Sequence, residues 1–221
     1  MKYRTRKSPT PSLNVLFIGN SFTARNNLPD LVAQLAEADG SRLDHKLITA
    51  GGASLRMHWN KGIAQKAIAG ENFDYVVLQE QSTLPIKNPT RMHENVRLFD
   101  DVIESAGSKT ALYMTWARKQ APETQQQITD AYMSISRELG ATLIPAGVAW
   151  ARFLEEHCTP VLHDRDQSHP TLAGSYLAAC VAYAVLFSIS PVGNTAVAGL
   201  APLEAQLLQA AAAKATRNAI D

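Results

Sequence analysis

Residues 15–23 read Val-Leu-Phe-Ile-Gly-Asn-Ser-Phe-Thr. The apolar run, which is mostly β-branched or aromatic, predicts a buried strand that ends in a tight turn at Gly19, Asn20 and Ser21. Apolar residues then recur at the spacing of one helix face, with a proline suited to the first turn: Leu28, Pro29, Leu31, Val32, Leu35 and Ala36. Ser21 would thus lie where the first strand leads into the first helix. Ligands of open α/β sheets bind beyond the carboxyl ends of the strands, so this serine is placed for chemistry. The alternative is an ordinary turn or helix-cap serine.

The composition is that of one globular domain. The 221 residues are 46% hydrophobic and 19% charged, which suits one sizeable core and is short for two domains. A formal net charge of +1 gives no strong field for nucleic acid or an anionic membrane, so we expect neither as a partner. Residues 1–12 are polar and basic, and we expect a flexible arm there. We expect residues 13–221 to form the domain.

Targeting signals and cysteine motifs are weak in this sequence. No small-residue cleavage site follows the first apolar run, so we expect no signal peptide and a cytoplasmic location. The longest apolar stretch, residues 177–187, is far shorter than the roughly 20 residues of a membrane span and predicts a buried helix. Cys158 and Cys180 belong to no CxxC pair. We therefore expect no disulfide framework, no metal site and no cofactor.

Apolar runs alternate with helical periodicity along the chain. Strands are predicted at 15–18, 43–49, 75–78, 110–115 and 142–144; helices are predicted from about residue 28, at 55–69 with a weak point at Gly62, and at 92–106, 128–139, 148–156, 172–188 and 202–216. This alternation indicates right-handed βαβ units and a parallel sheet. We expect the α/β class, as a three-layer α/β/α sandwich around five parallel strands. The loops after the strands would then meet at one edge of the sheet.

A second chemical signal lies near the end of the chain, at Asp166-Gln167-Ser168-His169-Pro170. The carboxylate of Asp166 can hold one ring nitrogen of His169 and leave the other free as a base. A serine nucleophile needs such a base because its hydroxyl is a weak nucleophile at neutral pH. The alternative is a capping aspartate beside a surface histidine.

Several groups could donate hydrogen bonds to an oxyanion. Backbone N–H groups at Gly51 and Gly52, after the second strand, could turn toward a ligand, and so could the N–H of Ser21. The side-chain amides of Gln79 and Gln81 follow the third strand. The alternatives are a plain glycine turn and a polar strand end.

Together these motifs resemble the SGNH hydrolases, also called GDSL-like esterases. The matching blocks are Gly19-Asn20-Ser21, Gly52, a glutamine of the 79–81 segment, and Asp166-x-x-His169. They follow in the family's order over nearly the whole chain. A poorly characterised bacterial branch is more similar still, with G-N-S-[FY]-T, G-G-x-S-L-x-x-H, L-Q-E-x-S and D-x-x-H-P blocks. The resemblance implies a flavodoxin-like sheet.

The resemblance also implies roles for individual residues. Ser21, His169 and Asp166 would form a catalytic triad, and Ser21 N–H, Gly52 N–H and a glutamine amide would form the oxyanion hole. Asn20 stands where the family name has aspartate, and the third block lacks the usual asparagine. Because related carbohydrate esterases carry a Q-G-E block, Gln79 is preferred over the runner-up Gln81.

Other polar and aromatic residues follow the same strands. Asn20, His58 and Trp116 are candidate substrate-binding residues, although His58 could equally be a surface histidine and Trp116 a core aromatic. Arg118 could meet an anionic substrate or be a solvated charge. His163, Asp164, Asp166 and His169 could be drawn as a metal cluster, but they lack an established ligand spacing.

The motifs and the resemblance together predict a metal-independent serine esterase. The expected substrate is a small-molecule or carbohydrate ester with a small acyl group, such as acetyl, and the oligomeric state is left open. Three alternatives remain: an acyltransferase with the same triad, a flavodoxin-like nucleotide-binding module, and a catalytically inactive binding protein. The absence of a G-x-G-x-x-G motif argues against the nucleotide-binding module.

Overall fold

A computed structural model gives the structure of residues 11–220. A parallel sheet of strands β1 to β5 runs through this part of the chain, in the spatial order β2-β1-β3-β4-β5. The strands are β1 (Ser12–Gly19), β2 (Arg42–Thr49), β3 (Tyr75–Leu78), β4 (Lys109–Tyr113) and β5 (Thr142–Ile144). The predicted fold class is confirmed, and the strand order is the flavodoxin-like one.

Helices cover both faces of this sheet. They are α1 (Ser21–Ala24), α2 (Leu28–Ala38), α3 (Leu55–Lys61), α4 (Ile63–Gly70), α5 (Leu84–Lys87), α6 (Pro89–Ser105), α7 (Gln125–Leu139), α8 (Ala146–Glu156), α9 (Leu172–Phe187) and α10 (Pro202–Ile220). Short 3₁₀ turns add residues Arg25–Asn27 and Pro122–Thr124.

The second half of strand β1, from Val15 to Ile18, is apolar because it is buried on both sides. Val15 and Phe17 point into the core formed with α2, α8, α9 and α10. Leu16 and Ile18 point into the opposite core, formed with α3, α4, α6 and α7. A strand covered on both faces needs no polar alternation, which explains the continuous apolar run. The strand ends at the sheet edge where its neighbours β2 and β3 also end.

Helix α9 contains the longest apolar stretch of the sequence. It is buried from Ala173 to Leu186 and packs against α2, α8 and α10. This confirms the predicted buried helix. Within the described residues, we find no helix with the length and hydrophobicity required to cross a bilayer.

The structure differs from the predicted elements in a few places. Gly62 has a φ of +71°, and this left-handed conformation ends α3 and starts α4 where one helix was predicted. Helix α1 was not predicted, since four residues are too few to show helical periodicity. The basic residues Lys2, Arg4, Arg6 and Lys7 of the predicted flexible arm lie outside the described residues.

Candidate active site

The serine turn, Gly19-Asn20-Ser21, joins β1 to α1. Asn20 caps α1: its Oδ1 accepts a hydrogen bond from the N–H of Phe22 at 3.0 Å. Its Nδ2 donates to the carbonyl oxygen of Ala53 at 2.9 Å, which ties the turn to the loop after β2. Ser21 is half-buried, and its N–H donates no hydrogen bond to the described part of the chain. The turn thus presents a hydroxyl and a free N–H at the same point.

The histidine loop, residues 163–170, brings His169 to this serine. His169 Nε2 lies 2.8 Å from Ser21 Oγ, although the two residues are 148 positions apart in sequence. His169 Nδ1 lies 2.5 Å from Asp166 Oδ2. With the ring proton on Nδ1, Nε2 is free to accept the serine proton.

Asp166 is held in place by its own loop. Its Oδ1 accepts the backbone N–H groups of Ser168 at 3.0 Å and His169 at 2.9 Å, while Oδ2 accepts from the imidazole. These hydrogen bonds hold the pKa of the Asp166 carboxyl well below its ordinary value, and the bond from the His169 ring has the largest effect. The carboxyl is therefore ionised at neutral pH and can accept the hydrogen bond of the imidazole.

Two contacts fix the histidine loop to the segment after β4. The Trp116 indole N–H donates to the carbonyl oxygen of Ser168 at 3.0 Å, and Lys119 N–H donates to that of Gln167 at 3.0 Å. Trp116 is itself stacked on Trp150, with the ring centroids 3.8 Å apart. Trp116 is 1% exposed and packs in the core, which favours the core aromatic over the substrate-binding residue.

A clamp behind the serine turn also holds the histidine loop. Arg25 Nη1 lies 2.5 Å from Asp164 Oδ2. Asn26 Nδ2 donates to the carbonyl oxygen of Thr171 at 3.1 Å and to Ser175 Oγ at 2.9 Å. No sequence motif marks this clamp, because its partners lie 139 to 149 positions apart.

The four residues of the candidate metal cluster all have other hydrogen-bond partners, and Asp166 and His169 pair with each other. His163 is buried and its Nε2 donates to the carbonyl oxygen of Ala117 at 3.0 Å, while Asp164 pairs with Arg25. Arg118 is exposed and lines, with Lys119, a cavity of about 210 Å³ between the β4–α7 segment and α8. Ser21 does not line that cavity.

The glycine loop, residues 50–54, approaches the serine turn from β2. Ala53 N–H donates to the carbonyl oxygen of Ala50 at 3.1 Å, and Gly52 has a φ of +66°. A side chain at residue 52 would strain this turn, which explains the glycine. The N–H of Gly52 is exposed and donates no hydrogen bond to residues 11–220, so it is free to receive a ligand.

Gln79 and Gln81 have different environments. Gln79 is 0% exposed; its Oε1 accepts from Asn20 N–H at 2.8 Å and from Thr23 Oγ1 at 3.0 Å, and its Nε2 donates to the carbonyl oxygen of Glu80. Its amide is therefore used inside the fold, and the preference for Gln79 as oxyanion donor does not fit this geometry. Gln81 is half-buried, and its Oε1 accepts from Thr83 while its Nε2 donates to no described residue.

Gly19 and His58 pack inside the fold next to the other residues of the serine turn. A Cβ at Gly19 would lie 2.6 Å from Gln79 Oε1 and 2.6 Å from Thr23 Oγ1, so only glycine fits there. His58 is buried and its Nε2 donates to the Gly19 carbonyl oxygen at 2.8 Å, and burial lowers the pKa of this imidazole. His58 and Asn20 are candidate substrate-binding residues, but both are buried and their side chains brace the serine turn.

Solved structures of other proteins share this architecture. A proposed SGNH hydrolase from Slackia heliotrinireducens is 26% identical, with a TM-score of 0.69 over 79% of this chain and 99% of the other. A DUF4886 family protein from Bacteroides uniformis is 21% identical, with a TM-score of 0.76 over 95% and 96%. The esterase EstA from Pseudoalteromonas sp. is 15% identical, with a TM-score of 0.60 over 79% and 96%.

The sequence itself has no such match: no protein-family model and no curated protein matches it. The structural matches confirm the resemblance predicted from the motifs. The chain has the fold of the SGNH-like hydrolase superfamily.

Proposed function

We propose that the protein is a serine hydrolase of carboxylic ester bonds. Its structural neighbours include SGNH hydrolases, esterases and a lipase/acylhydrolase, which supports the hydrolysis of ester bonds in general. Two hydrogen bonds support the assignment to particular residues: Ser21 Oγ contacts His169, and His169 contacts Asp166.

The proposed reaction begins at the serine hydroxyl. Ser21 Oγ attacks the ester carbonyl carbon as His169 Nε2 takes its proton, and the Asp166 carboxylate stabilises the imidazolium. The tetrahedral intermediate collapses when His169 returns the proton to the leaving alcohol, which leaves an acyl group on Ser21. Water, activated by the same imidazole, then releases the carboxylic acid and restores the serine.

The proposed oxyanion hole lies at the carboxyl ends of β1, β2 and β3. The N–H groups of Ser21 and Gly52 have no partner within residues 11–220. The Nε2 of Gln81 likewise donates to no described residue, and Gln81 follows β3, the strand next to β1 in the sheet. We therefore assign the third donor to Gln81 in place of Gln79. Each well-placed donor stabilises a developing oxyanion by about 2.7–4 kcal/mol.

The proposed substrate is an ester with a small acyl group, such as an acetyl group on a carbohydrate. This choice comes from the family resemblance of the motif set.

The test compares the wild-type protein with Ser21→Ala and with Ser12→Ala on a generic acetyl ester. Ser12 is an exposed serine at the other end of β1, so its loss should leave turnover unchanged. Loss of the nucleophile should lower kcat by at least about 10³-fold. Turnover by Ser21→Ala equal to that of the wild type would overturn the proposal. Product analysis with a sugar acceptor in the same assay separates hydrolysis from acyl transfer.

A further inference from the structure

Glu80 is a buried carboxylate that the proposed mechanism does not use. It lies between the two glutamines after β3 and is 1% exposed. Burial raises the pKa of this carboxyl, while hydrogen bonds to it act in the opposite direction. Because an unpaired buried carboxylate is costly, its partners indicate what the residue is there to hold.

The partners of Glu80 come from three segments: the residues after β3, the start of α3, and α6. Its Oε1 accepts the backbone N–H of Gln81 at 2.7 Å and the backbone N–H of Leu55 at 3.0 Å. Its Oε2 accepts from Asn95 Nδ2 at 2.8 Å. Asn95 Oδ1 in turn accepts from Arg56 Nε at 2.9 Å, which closes the network on the first turn of α3.

One carboxylate oxygen therefore joins the ends of two donor segments. Leu55 begins α3 directly after the glycine loop that carries Gly52, and Gln81 carries the third proposed donor. The glycine loop is also tied to the serine turn, through Ala53 and Asn20. Glu80 supplies the remaining connection between the glycine loop and the segment after β3.

We propose that Glu80 is a positioning residue, which holds the Gly52 N–H and the Gln81 amide in the geometry that receives the oxyanion. This inference rests on the proposed function. Glu80 touches no reacting atom, and it acts through the backbone of Gln81 and Leu55. A displacement of either donor weakens transition-state binding while the ground-state substrate is bound as before.

The chemistry at this site favours a carboxylate. Both oxygens of Glu80 face donors, and Asn95 must turn its amide nitrogen toward Glu80 because Arg56 occupies its oxygen. Glu80→Gln places an amide NH₂ against the NH₂ of Asn95, so one donor loses its acceptor. Asn95→Asp provides a carboxylate that accepts from the new amide at position 80 and from Arg56. The double variant therefore again pairs each donor with an acceptor, and its net charge is that of the wild type.

The experiment measures kcat, KM and melting temperature for Glu80→Gln, Asn95→Asp and the double variant. Glu104→Gln, an exposed glutamate on the same helix as Asn95, is the matched control. We expect Glu80→Gln to lower kcat by about tenfold or more with KM within about twofold. The double variant should recover most of this loss, and the control should match the wild type.

A second measurement does not depend on activity. Hydrogen exchange of the Leu55 and Gln81 backbone amides, followed by NMR, should become faster in Glu80→Ala than in the wild type. It should remain slow in the double variant, which keeps an oxygen acceptor at this point.

The outcomes separate the two proposals. Unchanged kcat in Glu80→Gln, with turnover still abolished by Ser21→Ala, overturns the positioning role and leaves the esterase intact. A double variant that regains the wild-type melting temperature without regaining kcat also overturns it. If the wild-type protein has no Ser21-dependent turnover, the proposed function fails, and equal exchange of the two amides in wild type and Glu80→Ala then overturns the positioning role as well.

Discussion

Replacement by alanine should affect stability at Gln79 and catalysis at Gln81. Gln79 has its whole amide inside the fold, where it accepts from the Asn20 N–H and the Thr23 hydroxyl and donates to the Glu80 carbonyl. Gln81 is half-buried and leaves its amide nitrogen without a described partner. We expect Gln79→Ala to destabilise the protein and Gln81→Ala to slow the reaction.

The magnitudes follow from the groups that each substitution leaves behind. Gln79→Ala leaves an N–H, an O–H and a C=O unpartnered in the interior, at about 1–3 kcal/mol each, so we expect a loss of at least about 3 kcal/mol. For a chain of this size that loss lowers the melting temperature by about 6–12 °C. Gln81→Ala removes one oxyanion donor and should lower kcat by about 10²–10³-fold, with little change in melting temperature.

The assay combines thermal unfolding with steady-state kinetics on the same acetyl ester. Kinetics are measured well below the melting temperature of each variant, so that the folded fraction is equal. The reasoning is refuted if Gln81→Ala keeps the wild-type kcat, or if Gln79→Ala loses kcat at full stability. The first result would remove Gln81 as a donor, and the second would return the donor role to Gln79.

Three further substitutions test how the site is braced. Trp116→Phe keeps an aromatic ring in the core but removes the indole N–H that donates to the histidine loop. We expect kcat in the same assay to fall by about 2- to 10-fold, and an unchanged kcat would contradict this. Gly19→Ala should fold poorly because its Cβ meets the buried Gln79 amide, whereas Gly51→Ala, whose Cβ meets nothing within 4 Å, should fold normally; equal circular dichroism melts would refute the steric argument. Burial lowers the pKa of His58 in the folded protein, so the unfolded chain binds a proton more readily. The folded state therefore loses stability relative to the unfolded state as the pH falls below about 6.5. His58→Gln keeps a donor but does not titrate, and its melting temperature should therefore fall less than that of the wild type between about pH 7.5 and 5.5; parallel decreases would contradict the prediction.

The fold followed from local patterns in the sequence. The apolar run of β1 and the helical spacing after Leu28 are set by burial of each element against the sheet, and such burial leaves a periodic signal. The α/β class and the buried α9 were therefore predictable from these patterns. The break at Gly62 appeared only as a weak point, because a single glycine within a helical pattern is compatible with either a helix or its end.

The candidate site was predictable only where its residues are close in sequence or belong to a motif. Asp166 and His169 form a local pair, and the geometry now links them to Ser21. The use of each polar side chain depends on its packing partners, which the sequence does not display. Gln79 and Gln81 are both amides after the same strand, but the chain turns one inward and leaves the other half-exposed.

The same limit applies to the three candidate substrate-binding residues. Asn20, His58 and Trp116 have side chains that suit substrate binding, yet each satisfies a backbone group of a neighbouring segment. Glu80 lies in the L-Q-E-x-S block, but its proposed positioning role depends on contacts to Leu55 and Asn95. Sequence spacing alone gives no access to those contacts.

The central claim is that Ser21 and His169 act as one nucleophile–base pair. The most direct test is the rate at which a fluorophosphonate labels the wild-type protein and His169→Ala, with the modified residue located by peptide mass spectrometry. We expect the label on Ser21 in the wild type and a rate at least about 10³-fold lower in His169→Ala. Equal labelling rates in the two proteins, or a label on another serine, would contradict the account.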